Sequence, residues 1–173
     1  GNAPDVMGLV LPDGQTTGHL ILGRDRWPCA LGKGGIRADK AEGDGATPIA
    51  TLPLRRVLYR ADRLHPPACA VPVEPIAPRD GWCDDPGHPD YNRAVTLPHP
   101  ARHEELWRPD GLYDVVGVLG WNDDPVVRGR GSAIFLHVAR PDLAPTEGCV
   151  ALALPDLLFV LSKGLTGIEV RPG

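Results

Sequence analysis

Residues 131–154 read Gly131-Ser-Ala-Ile-Phe-Leu-His137-Val-Ala-Arg-Pro-Asp-Leu-Ala-Pro-Thr146-Glu-Gly148-Cys149-Val-Ala-Leu-Ala-Leu154. The run Ser132 to Ala139 predicts a strand with His137 near its end, and Val150 to Leu154 predicts a second strand just after Cys149. Ten residues, Ala139 to Gly148, connect them and include Pro141, Pro145 and Gly148. Read as a hairpin-like connection, this puts the end of the first strand beside the start of the second. Imidazole and thiol then lie within roughly 5 Å, the cross-strand spacing. Such a pair has a chemical use, because a thiol with an ordinary pKa of about 8.5 is mostly protonated at neutral pH and needs an adjacent base to act as a nucleophile. Gly148 lets a carbonyl approach the backbone, where the N–H groups of Gly148 and Cys149 are expected to stabilise an oxyanion. Residue types alone leave open a second reading, a buried structural cysteine near a satisfied histidine.

Outward from this stretch, short apolar or alternating runs recur between turn signals: Val6 to Leu11, His19 to Leu22, Leu54 to Tyr59, Tyr113 to Leu119 and Ile168 to Val170. Their length, β-branched content and Gly/Pro boundaries predict strands and a mainly β core. Two helices are expected, over Ala101 to Trp107 and over Pro155 to Lys163. In the second, Pro155 and Asp156 suit a helix start and Lys163-Gly164 its end. Between Leu64 and Pro100 stand eight prolines together with Trp82, Cys83, Tyr91 and Asn92. A segment this long is expected to be an ordered insertion covering the active face, within a single domain over 1–173.

Composition excludes several classes. Of 173 residues, 21 are Gly and 20 Pro, which leaves no room for long helices, while 42% hydrophobic residues argue against disorder. Net charge is −4, and the 18 basic residues, 15 of them Arg, are scattered without the stripe that nucleic acid requires. No apolar run approaches the ~20 residues of a membrane span. The chain opens on Gly1-Asn2 without a leader pattern, which fits a cytoplasmic protein or a secreted one whose signal is gone. Cys29, Cys69, Cys83 and Cys149 lack CxxC spacing, which argues against a zinc site of four cysteines. His99 and His103 stand four apart, but Pro100 lies between them and no zinc-peptidase pattern follows. Gly32 to Gly35 and Gly129 to Gly131 read as turns, not phosphate cradles.

His137 precedes Cys149 by 12 positions, the reverse of papain-like order, and sortases want an Arg nearer the Cys than Arg171. The segment resembles the signature of the L,D-transpeptidase catalytic domain (YkuD-like) family, a strand ending in His followed by Ser/Thr-x-Gly-Cys, here His137, Thr146, Gly148 and Cys149. Lys40-Ala-Glu-Gly-Asp-Gly-Ala-Thr47-Pro48-Ile-Ala-Thr51-Leu-Pro-Leu54 is similar to the family's upstream Thr-Pro strand and turn. Glu147 and Ala151 stand where the family commonly has His and Arg. The resemblance implies a mainly β sandwich or barrel with one or two short helices.

It also implies a peptidoglycan L,D-transpeptidase, a periplasmic or cell-envelope enzyme with catalytic Cys149, His137 and Gly148. Stem peptides are its implied partners, with meso-diaminopimelate as acceptor and 3-3 or 1-3 cross-links as products. Carbapenems are implied covalent inhibitors, and no metal or organic cofactor is implied. Expected substrate contacts are Thr146, Glu147, Arg140, Trp82, Tyr91, Asn92, His103, Trp121 and Asn122. The alternatives are a carboxypeptidase or endopeptidase, a sortase-like transpeptidase, and a non-catalytic wall-binding module.

Overall fold

A computed structural model describes residues 5–173. The strands are β1 (Met7–Pro12), β2 (Thr17–Leu22), β3 (Asp25–Ala30), β4 (Ile36–Arg37), β5 (Thr47–Pro48), β6 (Thr51–Tyr59), β7 (Val73–Pro75), β8 (Asp80–Cys83), β9 (Arg93–Thr96), β10 (His103–Glu105), β11 (Val115–Leu119), β12 (Phe135–Val138) and β13 (Val150–Leu152). A 3-10 turn over Pro141–Leu143 precedes β13, and helix α1 (Leu154–Ser162) and β14 (Gly167–Val170) close the chain. The main sheet runs β11-β12-β13-β3-β2-β1-β14-β6-β7, and β6 also pairs with β11. That last pairing closes the sheet into a ring, a barrel-like sandwich, with β7 left beside β6.

Most strands fall where the apolar runs predict. The interior is filled by Val10, Leu20, Leu31, Leu52, Leu136, Val150 and Leu152, onto which α1 lays Leu157, Val160 and Leu161. This i, i+3, i+4 spacing is the helix's buried stripe. Pro155 sits in its first turn and Gly164, at φ +89°, lies just past its end. Strands β11 and β12 are covered on both faces, so they read as continuous apolar runs instead of alternating ones. On their outer face Val116, Val118 and Phe135 form a second cluster with Leu58, Trp82, Leu106 and Tyr113. A three-stranded sheet, β10-β8-β9, supplies part of this cover.

Two expectations are corrected. The segment Ala101 to Trp107 is not helical: its middle is β10, antiparallel to β8 with Glu104 opposite Trp82. Strand β8 needs a backbone partner on that side, and the pairing overrides a weak local helix pattern. The connection between β12 and β13 is not a hairpin either, because the two strands run parallel, Leu136 opposite Val150 and His137 opposite Ala151. Ten residues reach up to about 33 Å when extended, ample to carry the chain back to the starting level.

Candidate active site

The parallel register puts Phe135, His137, Cys149 and Ala151 on one face of the sheet. Cys149 stands level with Phe135, so its Cα lies diagonally from that of His137, roughly 8 Å away from the strand spacing and rise. Both side chains are 6% exposed. Both line a cavity of about 420 Å³, with Tyr113, Ser132, Thr146 and several charged groups. No hydrogen bond joins the two among the described residues. Cys149 Sγ instead donates to the Ala133 carbonyl (3.3 Å) and accepts from the Phe135 N–H (3.4 Å). His137 Nδ1 lies 2.9 Å from the Val138 carbonyl, which places its proton there and leaves Nε2 as a lone-pair acceptor.

Burial sets both protonation states. It pushes the Cys149 thiol up to about 12, with the charge of Glu104 adding to the rise and the Phe135 N–H opposing it. It pushes His137 down to about 4, against the pull of the Val138 hydrogen bond and with help from Arg108 and Arg140. The resting pair is a neutral thiol and a neutral imidazole, not the ion pair a free-standing thiolate would make.

The two threonines of the sequence motifs converge on one atom. Thr146 Oγ1 donates to the Cys149 carbonyl at 2.7 Å, and Thr47 Oγ1 donates to the same oxygen at 3.4 Å. The backbone of Thr146 is pinned in turn to Leu31 and Lys33. Gly148 adopts φ +133°, and a Cβ there would stand 2.8 Å from the Ala46 carbonyl, so glycine is required on both counts. Its N–H donates to Thr146 Oγ1 (3.1 Å). The expected pair of oxyanion donors is therefore corrected, since the Gly148 N–H is already committed to Thr146.

Of the other expected contacts, Thr146, Glu147 and Arg140 line the cavity. The Thr146 hydroxyl is spent on the loop, Glu147 pairs with Lys33 at the surface, and Arg140 is exposed. The rest are corrected, because none lines this cavity. Trp82 packs edge-on to Phe135, and Trp82, Asn92 and Trp121 border a separate cavity of about 220 Å³. Tyr91 is buried, donates to Glu42 (2.7 Å) and accepts from the Gly131 N–H (2.9 Å). Asn122 bonds the Val127 and Gly131 carbonyls, and His103 faces the Ala101 carbonyl. These side chains fix the backbone behind the site.

Asn92 is the centre of that scaffold. It accepts from Trp82 Nε1 (3.0 Å) and the Ala133 N–H (3.1 Å), and it donates to the carbonyls of Trp121 (2.9 Å) and Asn122 (2.8 Å). Asn92→Ala strands two buried donors and two part-buried carbonyls and is expected to cost roughly 3 kcal/mol, a midpoint lower by about 6–12 °C. Calorimetry reads this directly, and a midpoint within 2 °C of wild type contradicts it.

Sequence reasoning missed Glu104, Arg108 and Tyr113, which form a further wall. For Glu104 the signal was masked by the helix reading of 101–107, whereas Arg108 and Tyr113 lie beyond it and carry no local motif. The four cysteines are free. His88, Asp90 and His99 bring potential metal-ligand atoms within 4.8 Å of one another. The Asp90 N–H donates to His88 Nδ1 (3.0 Å) and the Ala101 N–H to His99 Nδ1 (3.2 Å), placing both ring protons on Nε2. His99 Nε2 then donates to Asp90 (3.0 Å), so the cluster is closed by its own hydrogen bonds.

No helix among the described residues is long and apolar enough to cross a membrane. Comparison with curated proteins gives no match, and neither does comparison with solved structures. The family model of the L,D-transpeptidase catalytic domain, YkuD, matches residues 7–170, from the first strand through the last. With nearly its whole length matched and a mainly β, barrel-like sheet carrying the motifs, the chain belongs to the L,D-transpeptidase catalytic domain family.

Proposed function

We propose that the domain is a peptidoglycan L,D-transpeptidase acting through an acyl-enzyme on Cys149. One observation carries this reading: His137 lines the cavity that Cys149 also lines, with its Nδ1 spent on the Val138 carbonyl and no hydrogen-bond partner for its Nε2 among the described residues. Nε2 takes the thiol proton as sulfur adds to the donor carbonyl, and the Cys149 N–H faces the developing oxyanion. Collapse returns the proton to the departing amine of the D-residue and leaves a thioester. The side-chain amine of meso-diaminopimelate then attacks, giving a 3-3 or a 1-3 cross-link according to the donor carbonyl. Water in its place makes the same site a carboxypeptidase or endopeptidase. The activity belongs in the cell envelope, where its stem-peptide substrates are.

A wall-binding module without chemistry is the competing reading, because no hydrogen bond joins Sγ to the imidazole. Intact mass separates the two. Incubation with a tetrapeptide donor, or with a carbapenem, is expected to add one acyl group to the peptide containing Cys149. Unmodified protein after prolonged incubation with both contradicts the enzymatic reading.

A further inference from the structure

Glu104 is a carboxylate on the cavity wall with a single partner. Its Oε1 accepts from the Tyr113 hydroxyl at 2.6 Å, and no ion pair or second hydrogen bond engages it among the described residues. The Tyr113 ring stands edge-on to His137 with centroids 5.3 Å apart, so the carboxylate is held one phenol away from the base. Arg108 stands over the same ring, Cζ 5.2 Å from its centroid. Its Nε and Nη2 are bonded to Asp110 (2.9 and 2.7 Å), which leaves Nη1 uncommitted. Arg140, also on the wall, makes no side-chain hydrogen bond or ion pair among the described residues. A partly buried carboxylate without a counter-ion is costly by itself, and a ligand cation offsets that cost.

Glu104 at the Tyr113 hydroxyl and Arg108 over the Tyr113 ring set an anion and a cation about one aromatic side chain of the cavity wall. The charge of Glu104 reaches Cys149, where Lys40 opposes it, and Arg108 acts on both His137 and Glu104. An acceptor whose ammonium meets Glu104 on its way to the thioester directs a carboxylate on the same carbon toward Arg108.

We infer that Glu104 and Arg108 form the acceptor's head-group site, built for a primary ammonium and a carboxylate on one carbon. This is the distal end of a diaminopimelate side chain, as distinct from the bare ammonium of lysine. The inference rests on the acyl-enzyme reading above. In the aminolysis step Glu104 takes one proton from the ammonium, freeing the nitrogen lone pair. That pair forms the C–N bond at the thioester carbonyl, and the C–S bond breaks with its electrons on sulfur. His137 passes a second nitrogen proton to the sulfur, so the products are an amide, a thiol and a protonated Glu104 that returns its proton to solvent.

The test uses the whole chain, a tetrapeptide donor, and two acceptor tripeptides that differ only in ending with diaminopimelate or with lysine, the same residue lacking the distal carboxylate. Mass spectrometry reads acylation of Cys149 and the ratio of amide to hydrolysis product. Wild type is expected to favour the diaminopimelate acceptor by about tenfold or more. Glu104→Gln, which keeps an acceptor for Tyr113, is expected to lower the amide-to-hydrolysis ratio about tenfold with both acceptors, and Glu104→Asp to recover part of it. Arg108→Gln is expected to bring the two acceptors within about threefold of each other. Variants that acylate yet keep the wild-type ratio and preference overturn the head-group site and leave the acyl-enzyme reading standing. Failure of the wild type to acylate overturns that reading itself.

Discussion

Replacing Cys149 by Ala is expected to lower cross-link formation at least a thousandfold while moving the thermal midpoint by only a few degrees. On the proposed mechanism the activity loss follows because the thiol supplies the bond that carries the acyl group, while the Ser132 and Thr146 hydroxyls that share the cavity are bonded to Glu42 and to the Cys149 carbonyl. The fold survives because Sγ makes two long contacts, to Ala133 and Phe135. The threonine grip acts on the Cys149 carbonyl, which alanine keeps. Muropeptide digestion and calorimetry read the two effects separately. Cross-links at wild-type level in the variant sink the covalent mechanism.

His137→Ala is expected to slow acylation by about a hundred- to ten-thousandfold, the usual contribution of a positioned general base. The pH profile carries a sharper signature. A neutral pair is fully populated between the His137 value of about 4 and the Cys149 value of about 12, so wild-type acylation is expected to stay level from about pH 5.5 to 9 and to fall in acid as His137 takes a proton. A thiolate–imidazolium pair gives a bell instead, and a bell centred near neutrality contradicts the neutral resting state.

Stability follows the same group. The His137 pKa falls on folding from 6.5 to about 4, so between these values the unfolded chain binds the extra proton. Stability is therefore lost as pH falls through this window, by roughly 3 kcal/mol from this residue. His137→Ala removes that part of the slope, and chemical denaturation at pH 7 and pH 4.5 measures it.

Most strands, and the meeting of His137 and Cys149 at one cavity, were legible because they depend on local pattern: β-branched runs, glycine at a forced backbone position, and a histidine placed before a cysteine. What escaped depends on pairing across the sequence. Strand β3 escaped because Asp25, Arg26 and Pro28 demote it locally, yet its backbone pairs with β2 along its whole length. The parallel sense of β12 and β13 is invisible in the connection, since ten residues suit either a loose hairpin or a return path. Aromatic residues drew attention toward Trp82, Tyr91 and Trp121, but the large side chains of this molecule anchor loops and the charged ones line the cavity. Glu104 stood in a stretch whose pairing partner, β8, lay among prolines where no strand was expected.

The neutral resting thiol has a consequence for the lifetime of the protein. Peroxide and disulfide reagents attack thiolates, and a sulfur pushed up to about 12 and enclosed on a packed sheet face presents almost none at neutral pH. Cys29, inside the ring, is pushed to a similar value by burial. On the proposed mechanism the chain thus stores its nucleophilic atom in an oxidation-resistant form and activates it only while His137 is taking its proton.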